Sequence, residues 1–124
     1  MLSRWVFWIA GIYGLLVLLP QYFLEERIGR DAPPAITHPE FFYGFVGVAA
    51  VWQVAFLIIG CDPQRYRLMM IPATLAKFSF GIAVLVLWSM GRVAMPVPAF
   101  ASVDLLLGVL FAAAFWTSSG KRTP

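Results

Sequence analysis

The sequence predicts an all-α fold, an antiparallel bundle of four transmembrane helices, on three observations. Hydrophobic residues make up 61% of the 124 positions and charged residues only 12%, with a mean hydropathy of +0.83. The apolar residues fall into four blocks, at about 5–23, 41–60, 68–90 and 98–116, each close to the roughly 20 residues that cross a hydrocarbon core. The nine lysines and arginines lie mostly at block ends, where they set topology. A chain of this length has room for one core, so 1–124 reads as a single integral membrane domain.

The first block runs from Trp5 to about Phe23, behind Arg4. It imitates a signal peptide, but Pro20-Gln21-Tyr22-Phe23 stands where a small-x-small cleavage site would be needed, so it reads as a retained span. The loop after it carries Glu25, Glu26, Arg27, Arg30 and Asp31, then the break Ala32-Pro33-Pro34. Thr37 and Glu40 have capping-box spacing around Pro39 and mark the start of the second helix. That helix ends at Gly60-Cys61-Asp62-Pro63, with Asp62 placed to cap the next helix. Arg65, Tyr66 and Arg67 form a cation and aromatic cluster suited to the lipid headgroup layer. In the third block Pro72 removes a backbone bond, so it kinks the helix or marks its effective start. Gly91-Arg92 and Pro96-Val97-Pro98 make the last turn, and the fourth block ends before Ser118-Ser119-Gly120-Lys121-Arg122.

Arg4, Arg65, Arg67, Lys121 and Arg122 fall on one side of this arrangement, against Arg27, Arg30 and Arg92 on the other. The excess predicts cytoplasmic N and C termini in a multi-pass protein of the bacterial inner membrane.

Lys77 and Asp104 stand inside the third and fourth blocks. A charge at helix centre costs about 2.5–3.5 kcal/mol on insertion scales, so both need a partner. At about 1.5 Å per residue, Lys77 lies roughly 14 Å from the Arg67 edge and Asp104 about 9–10 Å from the other. In a core of about 30 Å their heights differ by roughly 6 Å, a gap a lysine closes. A short turn makes their helices antiparallel neighbours. Gln53 and Tyr13 fall near the same level, so each helix offers one polar side chain to the centre. Small residues flank them: Ala101, Gly108 and Ala112 beside Asp104, Thr74 and Gly81 beside Lys77, Ala49 and Ala50 beside Gln53. Such stripes let membrane helices approach closely, leaving bulky Phe, Trp and Leu to face lipid.

Two readings of the set Tyr13, Gln53, Lys77 and Asp104 stay open: an ion pair that fixes which helix meets which, and a polar cavity for an ion, proton or small ligand. A pair joining subunits of an oligomer is a further option. At the outer mouth His38, Glu40 and Tyr43 are a weaker candidate set, for which a helix cap with an interfacial histidine is the plainer account. A lone cysteine, Cys61, excludes an intrachain disulfide and any CxxC site, and one histidine excludes a bis-histidine haem within one chain. No Ser/His/Asp set, phosphate loop, metal-spaced cluster or cofactor motif occurs, and no basic stripe suits nucleic acid. No catalytic residue, metal or cofactor is therefore assigned.

The runs Tyr43-Gly44-Phe45-Val46-Gly47, Asp62-Pro63-Gln64-Arg65-Tyr66-Arg67 and Leu68-Met69-Met70-Ile71-Pro72-Ala73 resemble the DoxX-like group of small bacterial membrane proteins. That resemblance implies a four-helix bundle and no particular activity. Members often carry a glutamate within the second helix's glycine pattern, whereas Glu40 precedes it here. The expected function is non-catalytic: a small membrane protein whose polar centre binds a small ligand or fixes assembly, with lipid and either a second copy or another membrane subunit as partners. A proton- or ion-coupled carrier working as a dimer is the first alternative, and a membrane-embedded enzyme on a lipid-like substrate, using Asp104 as acid or base beside Lys77, the second.

Overall fold

A computed structural model describes residues 2–31 and 35–118. The break at Ala32-Pro33-Pro34 and the basic residues Lys121 and Arg122 lie outside the described residues. Within them helices are the only regular elements. Helix α1 (Leu2–Leu18) continues through a 3₁₀ turn to Phe23, and a short α2 (Glu25–Asp31) comes next. Then come α3 (Pro39–Cys61), α4 (Met70–Ser89) and α5 (Val97–Ser118). Four helical stretches have membrane-crossing length and apolarity: Leu2–Phe23, Pro39–Cys61, Arg67–Ser89 and Val97–Ser118. The protein is a four-helix, multi-pass membrane bundle.

The element ends reflect local chemistry. Helix α3 starts with His38 as N-cap and Pro39 in its first turn, but no side chain bonds its free amides. The capping box expected from Thr37 and Glu40 is not formed; Pro39 removes one of the donors that such a cap would satisfy. Asp62 does cap, its Oδ1 accepting from the Arg65 backbone N–H at 3.2 Å, though on a turn that precedes α4. Pro72 lies in the first turn of α4 and therefore marks a start. At the other end of α4, Gly91 has φ +73°, with Gly91 N–H bonded to Trp88 O and Arg92 N–H to Leu87 O. That left-handed stop uses glycine because a Cβ is strained there.

Helix α1 packs along α3, and α4 along α5; the two pairs meet mainly where α1 crosses α5. Small residues explain the two close pairs. A Cβ on Gly11 would lie 2.8 Å from Leu57, and one on Gly81 would lie 2.5 Å from Leu105. Helices α3 and α4 are consecutive but touch little; they meet through side chains such as Phe45 and Phe80, whose rings stack with centroids 5.7 Å apart.

The core corrects one expectation. Bulky rings were assigned to lipid, yet Phe7, Phe56 and Phe111 are fully buried. Phe7 stacks on Phe111 at 4.1 Å, and Phe56 meets Phe111 edge-on at 5.0 Å. Ala10, Ala73 and Ala114 join the same cluster, and where helices present alanine, a large ring must occupy the remaining volume to keep native density. The chain contacts place this aromatic plug toward the end bearing Arg4, Cys61 and Arg67. Trp5, Trp88 and Trp116 remain exposed near helix ends, where belt residues belong.

Candidate functional site: the polar centre of the bundle

Lys77 sits two turns into α4, and Asp104 two turns into α5. Their side chains meet across the tightest helix pair, Nζ to Oδ1 at 3.2 Å. The lysine side chain is 6% exposed and the aspartate 20%, so this is a buried ion pair. Gly108, one turn along from Asp104, allows the approach: its absent Cβ would stand 3.3 Å from the Lys77 Cβ. Lys77 also reaches α3, with Nζ 5.3 Å from the centroid of the Phe56 ring. A desolvated ammonium over an aromatic face gains more than an exposed one. The pair therefore ties α4 to α5 directly and to α3 through a ring.

The two other central residues are placed differently. Tyr13, half-buried against the aromatic core, lies within electrostatic reach of Asp104. Gln53 is 5% exposed, and its Nε2 donates to Ala49 O at 2.9 Å on its own helix. Its Oε1 is buried without a hydrogen-bond partner, lying where a Cβ on Gly14 of α1 would be. Gln53 thus fills a glycine notch and makes no bond to the ion pair.

At the opposite mouth, His38 and Glu40 are exposed. The His38 ring stands 5.3 Å from Phe41. Tyr43 turns elsewhere: its hydroxyl donates to Glu25 Oε1 at 2.9 Å, and its ring stacks on Tyr22 at 6.0 Å. The residue that Tyr43 engages is on α2, a segment read from sequence as loop.

The arginine end holds contacts that sequence reasoning did not reach. Arg4 donates from Nε to Gly60 O and from Nη2 to Cys61 O, both at 3.1 Å, and lies over Trp8. Trp8 Nε1 donates to Leu57 O at 3.2 Å. Arg67 donates from Nε to Phe115 O at 2.9 Å, with its guanidinium carbon 3.8 Å from the centroid of the Phe115 ring. Carbonyls near two helix C-termini thereby accept bonds from arginines outside those helices. The available signal was the rule that the last carbonyls of a helix need donors, applied to arginines at the ends of neighbouring blocks. Arg65 remains exposed beside Tyr66.

Two apolar surface clefts lie away from the pair. One, of about 190 Å³, is lined by α4 and α5 residues from Met70 to Leu75 and from Ala112 to Trp116. The other, of about 470 Å³, runs along Ile12, Leu16, Leu19 and Phe23. Neither is lined by Lys77, Asp104, Gln53 or Tyr13.

No family model, curated protein or solved structure matches the chain. The bundle agrees with the fold type that the DoxX-like resemblance implied, at the level of four membrane helices.

Proposed function

We propose that this is a non-catalytic membrane protein of the bacterial inner membrane, with cytoplasmic termini, whose central ion pair fixes the assembly of its helices. The observation that carries the reading is the Lys77–Asp104 contact at 3.2 Å, buried within the α4–α5 interface. Removing one partner of a buried pair leaves an unpaired charge and costs about 3–5 kcal/mol, which makes the contact decisive for which helices meet. The fully buried Phe7, Phe56 and Phe111 support the same reading. They fill the bundle between the pair and the arginine end, where a permeation path would have to run.

The test is a charge exchange. Lys77→Asp and Asp104→Lys each abolish folding alone, and the doubly exchanged protein folds again. Failure of the double exchange to recover a folded bundle contradicts an assembly role.

The ion- or proton-coupled carrier is supported by a different observation: the pair leaves bonding capacity unused. Lys77 donates one of its three hydrogen bonds, to one of the two Asp104 oxygens, and Asp104 keeps 20% exposure. Substrate-dependent proton movement in liposomes that is lost in the folded exchange variant would favour it. In that case the DoxX-like resemblance supplies the scaffold, and the polar centre supplies the site.

A further inference from the structure

The cleft between α4 and α5 is open sideways, since Ile71, Leu75 and Trp116 on its rim are 45%, 64% and 70% exposed. In a bilayer that rim faces acyl chains. Its floor is apolar: Met70 and Ala112, with the Phe115 ring, and Thr74, whose hydroxyl is already committed to Met70 O. A cation stands next to the cleft, in contact with Phe115 of its lining. Arg67 stands one turn before Met70 and Ile71, with its guanidinium over the Phe115 ring that lines the cleft. Only its Nε is used, on Phe115 O; both Nη groups lack a partner among the described residues. Those donors are held in place by the stacked ring and the Nε bond at a helix end. Arg65, exposed in the preceding turn, adds a second positive charge.

We propose that this cleft and Arg67 form a binding site for a single anionic phospholipid. A stretch of one acyl chain lies in the groove between α4 and α5, and the headgroup phosphate accepts hydrogen bonds from the Arg67 Nη groups. The chemistry fits on both sides. A guanidinium presents paired donors to a phosphate in fixed geometry, and an apolar groove opening to the hydrocarbon takes a chain without desolvating anything polar. The site is separate from the Lys77–Asp104 pair and stands whether or not that pair has a role beyond packing.

Native mass spectrometry of the protein purified in neutral detergent tests it, by titration with phosphatidylglycerol and phosphatidylcholine of identical chains. One tightly bound lipid is expected, with phosphatidylglycerol favoured about fivefold or more, the effect of one basic residue near an anionic headgroup. Arg67→Gln lowers that ratio, leaving only the weaker preference that Arg65 supplies. Ala112→Phe, which fills the groove and leaves the arginines intact, weakens retention of both lipids. Excess inorganic phosphate does not displace the bound lipid, because the chain holds it. Equal affinity of the wild type for the two lipids overturns the proposal, as does a ratio untouched by Arg67→Gln. Should that variant not fold, the wild-type ratio and Ala112→Phe decide: retention unchanged by the filled groove means ordinary annular lipid. Displacement by phosphate would instead mean a phosphate site that no lipid chain occupies.

Discussion

Single atoms decide where two helices can lie in this bundle. Gly14 is the sharpest case, since a methyl group there would collide with the Gln53 carboxamide. Gly14→Ala is expected to destabilise the fold by about 1–3 kcal/mol, the usual cost of overpacking. Adding Gln53→Ala should recover most of that loss, which thermal unfolding in detergent would read. Gly44 offers the control, having nothing within 4 Å of its missing Cβ; Gly44→Ala should leave stability unchanged or slightly raised. Gly91 is constrained by backbone instead of space. With φ at +73°, Gly91→Ala should cost about 1–2 kcal/mol. The glycines of the run Tyr43–Gly47 are not the crowded ones: those under most pressure are Gly11 and Gly14 on α1, Gly60 on α3 and Gly81 on α4. Spacing shows that a small residue is present but not whether a neighbour is close.

At the level of helices, four spans and one buried contact were legible, and the pairing of helices was legible only in part. Charges in apolar stretches stand out because the bilayer penalises them, and the rise per residue put Lys77 and Asp104 within reach of each other. Their helices are joined by a short turn and do pack as neighbours. The same argument applied to α3 and α4 would fail, because those consecutive helices touch little while α1 and α3 pack closely across α2. Loop length limits which helices can meet; side-chain size chooses among them. The aromatic core escaped notice for a related reason, as phenylalanine suits both lipid and protein interior and its face depends on packing. The short α2 was hidden in a charged loop, where its amphipathic signal spans only two turns. At the arginine end, Arg4→Gln removes two bonds from the C-terminus of α3 and should lower stability by about 1 kcal/mol. Faster amide exchange confined to the last turn of α3 would confirm that the arginine acts as a cap.

For the molecule as a whole, the polar ties between membrane-spanning helices gather at the arginine end. Arg4, Trp8, Ser3 and Arg67 all bridge there, and the aromatic plug lies just inside. The ion pair stands apart from them, polar and deep. Orientation can be read from Cys61, the lone cysteine, which is exposed at that same end. If the termini are cytoplasmic, an impermeant maleimide should label Cys61 in inverted membrane vesicles and not in intact cells; labelling in cells would reverse the assigned topology. The most direct measurement of the central claim is a double-mutant cycle on the pair, with Lys77→Met and Asp104→Leu analysed by equilibrium unfolding. We expect each single change to cost about 3–5 kcal/mol and the double change far less than their sum, since apolar residues replace a buried pair at little cost. Additive losses would mean that the two charges act independently, and the ion pair would then not be what holds α4 against α5.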